Sequence, residues 1–134
     1  MHLILCLDDR NGMLFAGRRQ SKDRSLRQRI LQVTGQSNLW MNGYSAKQFE
    51  ETSSAICVDE DFLNIAGEDD YCFVENSDIT KYLPSAHKLI IYRWNRVYPS
   101  DVRFPAQALE SRKKISSADF PGSSHESITE EVYT

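Results

Sequence analysis

The stretch Tyr82-Leu83-Pro84-Ser85-Ala86-His87-Lys88-Leu89-Ile90-Ile91-Tyr92, with Asp101 and Phe104-Pro105 downstream, decides how this chain is read. From Lys88 to Trp94 it is the strongest strand in the sequence, because Leu89, Ile90, Ile91 and Tyr92 follow one another without a polar break. A strand with one wet face alternates apolar and polar residues; an unbroken apolar run suits a central strand covered on both faces. Upstream, Ser77 is placed to cap a helix that Pro84 stops.

Working outward, His2 to Asp8 reads as a short buried strand, followed by a turn at Asp9-Arg10-Asn11-Gly12. Met13 to Gln20 reads as a loop. Ser21 is the expected N-cap of a helix running to about Val33, with Leu26, Ile30 and Val33 on one face and Gly35 just past its end. Leu39-Trp40-Met41 is a second strand; Asn42-Gly43 turns the chain, and Ser45 with Gln48 forms an expected capping box for a helix to about Glu51. Ala55 to Val58 and Tyr71 to Val74 are further strands, separated by a short helix over Asp59 to Ala66. Ile115 to Phe120 and Glu126 to Tyr133, around the turn Pro121-Gly122, form a terminal hairpin. Strands alternating with helices predict an α/β fold: a doubly wound, mostly parallel sheet with flanking helices and a C-terminal antiparallel hairpin.

The 134 residues form one expected domain, 1–134, large enough for a real core. No apolar run approaches a bilayer-spanning length, and Leu3 to Leu7 is too short for a signal-peptide core, so no membrane association is expected. Cys6, Cys57 and Cys72 are odd in number, which fits free thiols in a reducing cytoplasm. His2, His87 and His125 stand far apart, so no metal site is expected. The formal net charge is −3, but its distribution is uneven. Arg10, Arg18, Arg19, Lys22, Arg24, Arg27 and Arg29 crowd one segment, whereas Glu50 to Asp78 contains acids and no Lys or Arg. Such faces could steer an anionic ligand, pair two subunits as a homodimer, or simply be solvated. Overall acidity argues against a nucleic-acid partner.

Three stretches, Leu3 to Met13, Leu39 to Phe49 and Tyr82 to Pro105, resemble the dihydrofolate reductase family in content and order. The first contains the strand and the Asp9-Arg10-x-Gly12-Met13 turn. The second resembles the family's strand and helix start that hold the cofactor pyrophosphate, with Ser45 as the matching hydroxyl. The third, with Leu-Pro-x-Ala-x-Lys-Leu and then Phe-Pro, is the most specific. The resemblance implies the family's fold, shortened between Thr52 and Tyr71, and places Asp23 where the family carries its single catalytic acid. That acid works from a partly desolvated pocket in which its pKa rises toward the working pH.

The departures fall on the functional positions. The family's glycine pair after the strand Tyr71 to Val74 is here Glu75-Asn76, which opposes a phosphate by bulk and by charge. Asp59-Glu60-Asp61 stand where the family receives a 2′-phosphate. Gly43 or Tyr44 replaces the basic residue before Ser45, Arg24 and Arg27 replace apolar contacts to the pterin, and Tyr92 aligns with the threonine that backs the acid. NADPH is therefore disfavoured, and no cofactor is expected. The expectation is a dihydrofolate reductase-like protein that binds a small anionic or nucleotide-like ligand. Its cleft would involve Arg18, Arg19, Asp23, Arg24, Arg27, Tyr44, Ser45 and Tyr92, with guanidinium forks gripping the anion. The alternative is a divergent NAD(P)H-dependent oxidoreductase acting on a pterin-like ring, with Asp23 as its acid.

Overall fold

The computed structural model describes residues 1–50, 53 and 55–134. In chain order the elements are β1 (His2–Leu7), β2 (Gly12–Phe15), β3 (Arg18–Arg19), α1 (Arg24–Thr34), β4 (Leu39–Met41), α2 (Gly43–Ala46), β5 (Ile56–Val58), α3 (Phe62–Ile65) and β6 (Tyr71–Phe73). A 3-10 turn at Leu83–Ser85 leads to β7 (Lys88–Arg93), β8 (Val102–Arg103), α4 (Ala106–Glu110), β9 (Lys114–Phe120) and β10 (Ile128–Tyr133).

Seven strands form one sheet in the order β5-β4-β6-β1-β7-β10-β9. β1 pairs in parallel with both β6 and β7, and β4 pairs in parallel with β5 and β6. β10 runs antiparallel to β7 and to β9, so the terminal hairpin closes one edge. The expected α/β sheet is thus present, parallel through five strands and antiparallel at its end. A small second sheet, β3-β2-β8, caps the carboxyl end of β1.

The apolar runs divide by parity. Leu3, Leu5, Leu7, Leu89 and Ile91 face one core with Phe62, Val74 and Phe104. Ile4, Ile90 and Tyr92 face the other, against Leu26, Ile30, Met41 and Phe73. Alternate side chains of a strand point to opposite faces, so a strand whose neighbours on both faces are apolar must be apolar throughout. Leu3, Ile4, Leu5, Leu7, Leu89 and Ile91 are all fully buried, which explains why β1 and β7 are the most readable segments.

Several local expectations need correction. The N-cap of α1 is Asp23, whose side chain accepts from Leu26 N, and not Ser21. Met13 to Gln20 is no simple loop: β2 and β3 form a hairpin whose turn places Ala16 and Gly17 at positive φ. Ser77 caps no helix; the segment remains irregular up to the 3-10 turn, where Pro84 sits in the first turn. Asn42 caps α2, which is only four residues long, so Ser45 and Gln48 do not form a capping box. The expected end of that helix at Glu51 lies outside the described residues. Gly35 does close α1, at φ 57°, as its position suggested.

Candidate ligand site

The crevice at the carboxyl ends of parallel strands is where open α/β sheets bind ligands. In this chain three acids are buried at that end of the sheet: Asp8, which accepts from the N–H groups of Arg10, Gly12 and Tyr98 and from Gln20, and two more, each fully engaged.

The first is Glu75, which follows β6 and is 8% exposed. Arg19, carried on β3, meets it with two donors, Nε to Oε2 at 2.9 Å and a terminal nitrogen to Oε1 at 3.1 Å. Ser45 Oγ and Gln48 Nε2 each donate to Oε1 at 2.8 Å. Arg19 is itself held in place: its guanidinium lies 4.2 Å from the centre of the Tyr44 ring and donates to the Tyr44 carbonyl, while its backbone N–H donates to the Tyr44 hydroxyl. Burial disfavours the Arg19 charge, but the Glu75 carboxylate outweighs that and raises its pKa. The cleft bordered by Cys6, Arg19, Ser21, Val74, Glu75 and Trp94 has only about 10 Å³ of free space, roughly one water molecule.

The second acid is Asp23, which is 1% exposed. Its Oδ1 accepts from Leu26 N at 3.1 Å and Ser123 N at 3.0 Å. Its Oδ2 accepts from Ser124 N at 2.7 Å and from His125 Nδ1 at 3.0 Å. Burial pushes the carboxyl pKa up, yet the N–H groups of Ser123 and Ser124, the imidazole and the Leu26 N–H outweigh it and bring the value down to about 2. This is the opposite direction from the raised pKa that the family resemblance implies, because four donors solvate the ionised form.

His125 links Asp23 to the other side of the site. Its Nε2 lies 3.1 Å from Ser21 Oγ and 2.9 Å from the Tyr98 hydroxyl, and its ring stacks on Trp94 with centroids 4.5 Å apart. Beyond this pair opens a cavity of about 410 Å³, bordered by Trp94, Arg96, Ser124, His125, Glu126 and Ser127. That volume lies in the range of small-ligand pockets.

The structure gathers some of the expected residues and disperses others. Arg19, Tyr44 and Ser45 meet around Glu75, and Asp23 sits at the mouth of α1. Arg18 and Arg24 are exposed, and Arg27 is buried on α1. Tyr92 turns away from Asp23: its hydroxyl donates to Glu130 at 2.8 Å, and burial raises its pKa far above that of an ordinary tyrosine. Gln48, Trp94, Tyr98 and His125 were not anticipated. His125 lies 102 residues from Asp23 in sequence, and no spacing rule links positions joined only by a docked hairpin.

The architecture is dihydrofolate reductase-like. A dihydrofolate reductase from Enterococcus faecalis, solved in complex with NADP(H) and RAB-propyl, superposes with a TM-score of 0.66. The match covers 98% of this chain and 94% of that one, at 10% sequence identity. No protein-family model and no curated protein matches the chain. Among the described residues, no helix is long and apolar enough to cross a membrane.

Proposed function

We propose that this chain uses a dihydrofolate reductase-like scaffold to bind a small anionic or nucleotide-like ligand, and that it does not carry out NADPH-dependent folate reduction. The observation that supports this reading is the buried Glu75 carboxylate. It accepts from Ser45, Gln48 and Arg19, beside the strand and helix start that resemble the family's pyrophosphate cradle. An internal carboxylate already satisfies the donors that a phosphate would need, and a second anion beside it would be repelled. NADPH does not fit these residues. The ionised Asp23, with its four donors, is likewise poorly suited to delivering a proton near neutral pH.

The ligand's place is the cavity beside Trp94. The stacked Trp94 and His125 rings give it a flat wall, Arg96 supplies a cation that an anionic group would meet on the side away from the Glu126 carboxylate, and Ser124 and Ser127 add polar groups. Those features suit a ring bearing an anionic substituent.

Thermal-shift screening with nucleotides, NADH, NADPH and folates tests the reading. The expected result is stabilisation by a nucleotide or similar anion, weakened in Arg96→Ala, with none from NADPH. Stabilisation by micromolar NADPH together with its oxidation in the presence of dihydrofolate would overturn it.

A further inference from the structure

The residues around His125 carry a second kind of chemistry that does not depend on the ligand reading above. We propose that Ser21, His125 and Asp23 form a nucleophilic relay that cleaves small acyl esters, with Ser21 Oγ as nucleophile, His125 as general base and Asp23 as the positioning residue.

The geometry follows from what each group can donate or accept. The Asp23 carboxylate only accepts, so the hydrogen on His125 must sit on Nδ1, which lies 3.0 Å from Oδ2. That tautomer leaves the Nε2 lone pair facing Ser21 Oγ at 3.1 Å. Nucleophile–base and base–orienter distances of this size define the serine relay wherever it arises, independent of fold or residue order. Three backbone N–H groups fix Asp23, and the Trp94 ring fixes the imidazole plane, so neither group is free to turn away. His125 is 7% exposed and Asp23 1%, whereas Ser21 is half-buried and faces the narrow cleft beside Trp94 and Cys6.

In the reaction Ser21 Oγ bonds to the ester carbonyl carbon while its proton passes to Nε2. The carbon–oxygen bond to the leaving alcohol breaks, and that alcohol takes the proton from His125. Water then attacks the acyl–Ser21 ester, gives a proton to Nε2 and releases the acid, and Ser21 recovers its hydrogen. The backbone N–H of Lys22, next in the chain to Ser21, has no acceptor among the described residues and is assigned to the oxyanion. The free space of about 10 Å³ beside Ser21 holds about one water molecule, so only the smallest acyl groups are expected to reach Ser21 Oγ, and only with the ester approaching from outside the cleft.

Tyr98 is the rival nucleophile, because its hydroxyl shares Nε2 at 2.9 Å. The test is incubation of the native protein with p-nitrophenyl acetate, following p-nitrophenol release and mapping the acetylated residue by peptide mass spectrometry. Expected are acetyl on Ser21, release reduced by about 100-fold in Ser21→Ala, and Ser21 acetylation retained in Tyr98→Phe. Labelling of the native protein with a fluorophosphonate gives the same readout without any variant, and Ser21 is the expected site. Equal release from Ser21→Ala, acetyl found only on Tyr98 or on surface lysines, or no fluorophosphonate on Ser21 would each overturn the proposal.

Discussion

Glu75 and Asp23 are both carboxylates buried at the carboxyl end of the parallel strands, yet the chain stabilises them by different means. Glu75 is matched by a cation: Arg19 crosses from the small sheet and forks onto it, with two neutral side chains in support. Asp23 is matched by its surroundings, through three backbone N–H groups and one imidazole. The first arrangement depends on the identity of particular side chains. The second depends on a loop being docked, since residues 123–125 must lie against the start of α1. Ion pairing and backbone solvation thus solve one desolvation problem within a single crevice, and mutations should separate them.

The largest effect is expected from Arg19→Met. It leaves Glu75 buried opposite an apolar side chain, a situation that costs about 3–5 kcal/mol when a buried pair loses one partner. Urea unfolding measures it, and adding Glu75→Gln should recover most of the loss, giving a large coupling energy in the double-mutant cycle. A loss below about 1 kcal/mol would place the pair with ordinary surface ion pairs and remove one side of the contrast.

Gly122→Ala probes the other side. A Cβ at this position would lie 2.7 Å from both Asp23 Oδ2 and the His125 carbonyl oxygen. Backbone cannot yield as a flexible side chain can, so the loop must shift away from α1. A destabilisation of about 2–3 kcal/mol is expected, with faster amide exchange at Ser123 and Ser124 but unchanged protection around Arg19. Equal loss of protection in both regions would show that the two acids belong to one cooperative unit.

Next comes the acid limb. Because the folded pKa of Asp23 is about 2 against an ordinary value of 3.8, the folded state holds its proton less tightly than the unfolded chain does. The resulting stability is fully present above about pH 4, and it is lost as the pH falls from there toward 2. Its size is about 2 kcal/mol. Asp23→Asn should lose that amount at neutral pH and flatten the dependence of stability on pH across this window. An unchanged acid limb in the variant would assign the low-pH loss to other carboxyls such as Asp8.

The sequence made the frame legible for a physical reason. β1 and β7 are covered on both faces, so their unbroken apolar runs leave no other role, and Gly35 marks the end of α1 by its backbone demand. The loop over residues 13–20 was less legible, because β2 and β3 pair through only a few residues and keep mixed polarity. Asp23 was recognised as special, but the direction of its pKa was not. That direction is set by Ser123, Ser124 and His125, which reach it only after the terminal hairpin folds back. Similarly, Glu75 could be read as an obstacle to phosphate, whereas its capture of Arg19, Ser45 and Gln48 required coordinates.

The smallest expected effect decides how sharp the contrast is. Ser45 is 1% exposed, and its hydroxyl donates to Glu75 Oε1. That same oxygen also accepts from Gln48 and from Arg19. Ser45→Ala therefore removes one donor of three from an oxygen that remains charge-paired, and leaves no new buried polar group behind. A cost of about 1 kcal/mol follows, near the typical net value of one hydrogen bond. If Ser45→Ala instead cost as much as Arg19→Met, Glu75 would be stabilised mainly by its neutral donors, as Asp23 is. The crevice would then hold two copies of one solution, and the Arg19 charge would serve to fix the geometry of the small sheet.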